Sequence, residues 1–263
     1  MLSFEGDRKA RNRLNDGERV TEVEVTCQVA LKRLVFVSVF DGWSAHRTLT
    51  LAEGFIMEAR PPAIFVGDSP GLDFLNSIAT PVDTAVDWID DGEGFLSWLE
   101  QGQLVPRDVL RDMRTNALPG ELDRVADQAR SLREWFRGFV RQHKGNPLTV
   151  EALEELGPLN GLLERDETFS RIVRPPTAQG AFELQTVRRW RNPNALLLPI
   201  GEALAGLVCS QDFSHVKACE GPACTLLFAD HTRGYTRRWC SMALCGNRAK
   251  QAAHRQRLKA HQH

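Results

Sequence analysis

Long apolar runs are missing from this 263-residue chain. No stretch reads as the ~18–20 continuous apolar residues that a membrane span needs, so no membrane association is expected. The run Leu34–Phe40 is short and no small-residue cleavage site follows it, which argues against a secretory leader. A glycine-rich phosphate loop, an H-E-x-x-H helix and a dinucleotide fingerprint are absent too, so those chemistries lose their usual signatures. Neither an internal repeat nor a low-complexity tract is present. One G-x-S-x-G run does occur, Gly67-Asp68-Ser69-Pro70-Gly71. In a nucleophile elbow the residue after the serine donates its backbone N–H to the oxyanion. Here that residue is Pro70, which has no N–H, so the run reads as a Pro-Gly turn and no enzyme is expected.

Acidic residues are missing from the end of the chain. Beyond Asp230 there is no Asp or Glu, while Arg233, Arg237, Arg238, Arg248, Lys250, Arg255, Arg257 and Lys259 supply eight cations. The net charge of −1 therefore hides an uneven distribution, with 25 basic and 34 acidic residues in positions 1–230. An acidic body joined to a cationic tail reads as a polyanion binder, nucleic acid above all.

The same tail holds four of the six cysteines. Four residues separate Cys219 from Cys224, four separate Cys240 from Cys245, and fifteen lie between the pairs. Two tight turns, each converging two thiolates, are what a tetrahedral zinc site requires. Four thiolates leave no open position on the ion, so one structural Zn2+ is expected. Iron–sulfur or redox disulfide chemistry are the other uses of such a set. His215 and His231 lie nearby and read as surface rings. Cys27 and Cys209 are left over and read as silent thiols or small buried hydrophobes. This cysteine usage does not resemble a secreted disulfide framework, and the bacterial cytosol, with the nucleoid, is the expected compartment.

Residues 1–60 read as a poorly packed extension. They open on a basic segment, then show β character from Val20 to Phe40 with no evident partner, and Met57 marks an alternative start. Organisation begins at Ala63. Ile64–Val66 reads as a short strand, Leu72–Ser77 as a short element and 84–101 as a helix. The clearest helix is 120–142, where Leu122, Val125, Ala126, Ala129, Leu132, Phe136, Phe139 and Val140 recur every three or four residues. Further helices are expected over 149–164 and 195–210. Strands are expected at Phe169–Val173 and Ala181–Val187, divided by Pro175-Pro176 and Gly180. The expected fold class is α+β: a helix-dominated body with a small sheet (61–211), then a treble or ribbon-like zinc module (212–263). In that module, 216–218 and 225–229 pair as a hairpin, and a basic helix runs from Asn247 to Lys259.

The run Trp239-Cys240-Ser241-Met242-Ala243-Leu244-Cys245-Gly246-Asn247-Arg248-Ala249-Lys250 resembles the signature of the CGNR zinc finger. Cys219, Cys224, Phe228-Ala229-Asp230 and Arg237-Arg238 fit the same pattern. The body resembles the ABATE domain, whose opening motif is similar to Leu72-Asp73-Phe74-Leu75-Asn76. The resemblance implies a stress-induced transcriptional regulator.

From these readings the expected function is DNA binding in transcription regulation. Zinc is held by Cys219, Cys224, Cys240 and Cys245. Arg237, Arg238, Asn247, Arg248, Lys250, Arg255 and Arg257 are the candidate nucleic-acid contacts, Asn247 for a base edge and the arginines mainly for phosphates. Some of Arg237, Arg238 and Arg248 could instead neutralise the anionic metal site. RNA binding and a protein-interaction adaptor with a zinc-stabilised tail fit the same residues. Asp73, Asn76 and Arg133 are candidates for a small-molecule effector pocket, with capping and local hydrogen bonding as the alternative. A homodimer is compatible, because one small finger contacts few base pairs.

Overall fold

The computed structural model describes residues 8–15, 18–27, 32–39, 60–80, 84–174 and 181–260. The chain forms two units, Met1–Ala59 and Arg60–His263. The expected Met57 start and the Pro175-Pro176 and Gly180 turn lie outside the described residues.

In the first unit, β1 (Arg8–Asn15), β2 (Glu18–Cys27) and β3 (Lys32–Val39) form an antiparallel meander in the order β1-β2-β3. Asn15 of β1 pairs with Glu18 of β2, and Cys27 of β2 pairs with Lys32 of β3. The β character seen in the sequence therefore does find partners. They are local, with the basic N-terminal segment supplying the first strand.

The second unit begins with α1 (Pro70–Leu75), β4 (Ile78–Ala79), β5 (Val86–Asp87), α2 (Gly92–Gln101) and α3 (Arg107–Asn116). Ile64–Val66 is irregular rather than a strand. The helix expected over 84–101 starts at Gly92, because Asp91 caps it by accepting the Gly94 N–H at 2.6 Å. Next comes α4 (Glu121–His143), close to its expected bounds. The helix expected over 149–164 is two short ones, α5 (Ala152–Glu155) and α6 (Gly157–Leu163). Pro158 sits in the first turn of α6, where a missing N–H costs least, and it cannot continue α5. Strands β6 (Thr168–Val173) and β7 (Glu183–Arg188) pair antiparallel, and a 3-10 turn at Pro193–Leu197 leads into α7 (Leu198–Ser210).

Helix α4 presents Val125, Ala126, Ala129, Phe136, Phe139 and Val140 to the core at helical spacing. Helices α1 and α7 pack closely: a Cβ on Gly71 would come within 2.7 Å of the Ala203 carbonyl oxygen. The stretch Pro193–Ser210 is, against the reading from sequence, long and apolar enough to cross a membrane by composition alone. Its apolar side chains serve the core instead, with Leu196, Ile200, Leu204 and Leu207 fully buried. The α+β expectation holds for this unit, with helices dominant and the sheets two-stranded.

The core also holds a cation. Arg133 of α4 is 2% exposed and grips Asp87 of β5 through both carboxylate oxygens at 2.8 and 2.7 Å. It donates further to Ser77 Oγ at 3.0 Å, and its Nε donates to Glu134 Oε1 at 3.0 Å. Burial alone would raise the Asp87 carboxyl, but the Arg133 bonds hold it below its ordinary value. Removing one partner of such a pair strands the other. Arg133→Met is expected to destabilise the unit by about 3 kcal/mol, read from the urea unfolding midpoint.

Candidate metal centre and basic helix

The module after α7 is built on a hairpin. Strands β8 (Val216–Ala218) and β9 (Leu227–Ala229) pair, with Ala218 opposite Leu227. Cys219 and Cys224 stand in the turn between them, where the Cys219 N–H donates to the Leu226 carbonyl and the Cys224 N–H to Gly221. In the second pair, Cys240 precedes and Cys245 lies within a wide turn at Met242–Gly246, capped by Ser241, whose Oγ accepts from the Leu244 N–H at 3.0 Å. That turn runs directly into α8 (Asn247–Ala260).

The four sulfurs lie within 4.8 Å of one another, and Cys224 and Cys240 are 3.9 Å apart. Bonds of ~2.3 Å to a tetrahedral zinc ion put the sulfurs roughly 3.8 Å apart, so the set fits the ion. Backbone N–H groups of Gly221 and Cys240 point at Cys219 Sγ from 3.4 and 3.3 Å, and Arg248 Nη2 points at Cys245 Sγ from 3.3 Å. These donors favour thiolate. Cys224, Cys240 and Cys245 do not titrate alike. The hydrogen bond from Cys240 is the main cause that draws the Cys224 thiol down to about 5. The same bond is the main cause that pushes Cys240 far up, and burial first of all takes Cys245 up to about 11. One thiolate is stabilised by its neighbours, and a second or third needs a cation beside it. His215 and His231 are not in the cluster; His215 stacks on Tyr235 with ring centroids 3.5 Å apart. Cys209 is exposed rather than buried.

Gly246 has the φ of an ordinary residue, so it is not there for a left-handed turn. A Cβ at that position would meet the end of the exposed Met242 side chain at 2.5 Å and Trp239 at 3.2 Å, so any larger residue requires Met242 to swing aside.

Between the cysteine pairs, Asp230 organises the loop. Its carboxylate is buried and accepts from Lys217 Nζ at 2.7 Å, from the N–H and Oγ1 of Thr232 and from the Arg237 N–H at 2.9 Å. Burial opposes its ionisation, but these donors, Lys217 foremost, hold it well below the usual carboxylate range.

The module is fastened to the body. Asn76, just after α1, accepts from the Leu227 N–H at 2.9 Å and donates to the Leu227 carbonyl at 2.8 Å, completing the unpaired edge of β9. The Ala229 N–H donates to the Gly67 carbonyl at 2.9 Å. Arg237 lies over the Phe228 ring at 4.3 Å, pairs with Asp68, and donates to the carbonyls of Val66, Trp239 and Cys240. Sequence reasoning placed Arg237 among the nucleic-acid contacts; the structure turns its guanidinium inward, where it joins the body to the second cysteine pair.

The other candidates divide. Arg238 is exposed, paired with Glu220 at 2.6 Å and set over the Trp239 ring at 5.1 Å. Asn247, Arg248, Lys250, Arg255 and Arg257 are exposed on α8. Arg248 also donates to the Leu244 carbonyl, so it serves the metal turn as well. Asp73, Asn76 and Arg133 all have polar atoms engaged by protein partners. Asp73 accepts from the Gly67 N–H at 2.8 Å, yet burial pushes its carboxyl up to about 6.

A helical body that carries a zinc-binding knuckle and a basic helix defines the class. Residues 68–211 match the ABATE family, described as "Putative stress-induced transcription regulator", and residues 215–258 match the CGNR zinc finger. The chain belongs to the ABATE family, with the finger following its domain. No curated protein matches the chain.

Because body and knuckle share hydrogen bonds, chelating the zinc is expected to lower the melting temperature of the whole 60–263 unit in one transition. A separate low-temperature transition, with the main one unmoved, would show that they fold independently. Asp73→Asn keeps an oxygen acceptor but removes the buried charge. The folded carboxyl titrates above the unfolded one, so its burden is greatest above pH ~6 and eases as the pH falls towards the ordinary carboxylate range. The variant should therefore melt higher than the parent at alkaline pH, with the gain fading in acid.

Proposed function

We propose that the chain is a DNA-binding transcription regulator, in which the zinc-held knuckle presents α8 to the duplex and the body responds to a small-molecule or stress signal. The observation that carries this reading is the convergence of four cysteine sulfurs at the root of a helix rich in Lys and Arg, in a segment without any carboxylate beyond Asp230. The metal supplies rigidity and no chemistry, since four thiolates fill its coordination. We read it as acting by binding rather than catalysis: Ser69 of the G-x-S-x-G run is buried, and the residue after it, Pro70, has no N–H to offer an oxyanion. The cations of α8, with Arg238, meet phosphates, and Asn247 at the start of the helix meets a base edge. A second copy would extend the reading beyond the few base pairs one finger covers. Residues 1–60 stand as an extension to this arrangement, with 61–211 the regulatory domain and 212–263 the finger.

Contact with ~4–5 phosphates gives a log–log slope of affinity against salt near −4. Titration of the zinc-loaded protein with duplex DNA at several salt concentrations measures it. Affinity independent of salt would defeat the reading, and tighter binding of single-stranded RNA in competition would move it to another nucleic acid.

A further inference from the structure

The cations of α8 do not all face one way. Lys250, His254 and Arg257 fall at i, i+4 and i+7 on one side, while Arg248 and Arg255, seven residues apart, share another. The first side forms a wall of a groove of about 430 Å3, whose other wall is Arg238 and Trp239 of the knuckle. Lys250, His254 and Arg257 make no ion pair with any described residue, and the helix surface between them is the small side chain of Ala253. Across the groove, the Arg238 guanidinium lies over the Trp239 ring at 5.1 Å. Its only carboxylate partner among the described residues is Glu220, at 2.7 Å from Nε and 2.6 Å from Nη2.

A second groove of about 620 Å3 lies on the other side of Arg238, between the end of α4 and β8. Lys144, Lys217, Arg237 and Glu220 line it. Two of its cations are already committed, Lys217 to Asp230 and Arg237 to Asp68. The uncommitted charge therefore concentrates in the first groove.

Resting on the DNA-binding reading, we propose that the groove between Arg238 and the Lys250–Arg257 side of α8 is the seat of a backbone phosphate of DNA. The phosphodiester takes the place of the Glu220 carboxylate on Arg238 and receives Lys250 and Arg257 from the helix. The Trp239 ring lies along the adjoining sugar. Charge complementarity selects the occupant: three permanent cations face one displaceable carboxylate, and a planar guanidinium suits a phosphate's two free oxygens. Glu220 in this arrangement is an internal competitor, which holds Arg238 until a phosphate displaces it and so weakens binding to the duplex.

The test uses the full-length zinc-loaded protein and a random-sequence duplex, with affinity measured through a salt titration. Arg238→Gln, Lys250→Gln and Arg257→Gln should each lower the slope by about one, with zinc stoichiometry unchanged. Arg107→Gln, an exposed cation at the start of α3, removes the same charge and should leave the slope as it is. Glu220→Gln should tighten binding by about threefold, the size of one exposed ion pair. Glu154→Gln, which changes net charge equally from α5, should tighten it less. If the parent binds with a steep slope but the three groove variants keep it, the phosphate seat lies elsewhere and the DNA-binding reading stands. Equal effects of Glu220→Gln and Glu154→Gln would remove the competitor role and with it the seat on Arg238. If the parent shows no salt-dependent binding, both readings fall together.

Discussion

Four sulfurs brought within 4.8 Å of one another are the constraint on which the C-terminal quarter of the second unit depends. A thiolate at Cys224 makes ionisation at Cys240 and Cys245 harder. A divalent ion resolves that conflict and turns mutual repulsion into four bonds. The consequence is geometric. The hairpin turn, the wide turn at Met242–Gly246 and the first residues of α8 are fixed relative to one another. A segment this small has few other means of holding a helix at a defined angle.

The apolar body does a different job. Its core is assembled from α1, α4 and α7 around Phe74, Phe136 and Leu204, and it extends without a break to Phe228 and Cys240 of the knuckle. The metal site is therefore an outgrowth of one core. Asp230, buried and ionised, belongs to the same continuity: it ties Lys217 of β8 to the loop that returns to the second cysteine pair.

The cysteine spacing made the metal site readable from sequence, because ligand chemistry admits few residue types and few separations. The stripe of α4 was readable for a similar reason, eight apolar positions at one period over 23 residues. Helix α3 was not noticed: its ten residues bury only Leu110 and Met113, too few to stand out from a charged background. The break between α5 and α6 was signalled by Gly157-Pro158, but the leucine periodicity around it argued the other way. Least legible were the long-range polar contacts. Nothing local to Asn76 says that its amide will meet Leu227, 151 positions away. Arg237 and Arg238 look equivalent in sequence, and one residue of offset sends the first inward onto Phe228 and Asp68 and leaves the second facing solvent. Fractional burial of a charged side chain is set by the whole fold, and a motif alone does not carry it.

The docking of Asn76 and Arg237 bears on how such a finger can travel between proteins. Five bonds to the segment 66–76 would be cut by transplanting the knuckle onto a foreign scaffold: the two of the amide clasp on β9, those to the Val66 and Gly67 carbonyls, and the Asp68 pair. The recipient would have to supply replacements or leave a strand edge and a guanidinium desolvated without partners. Inheritance of the two parts as a single piece is thus favoured by wiring alone, and swapping fingers among unrelated hosts is penalised before any question of target arises.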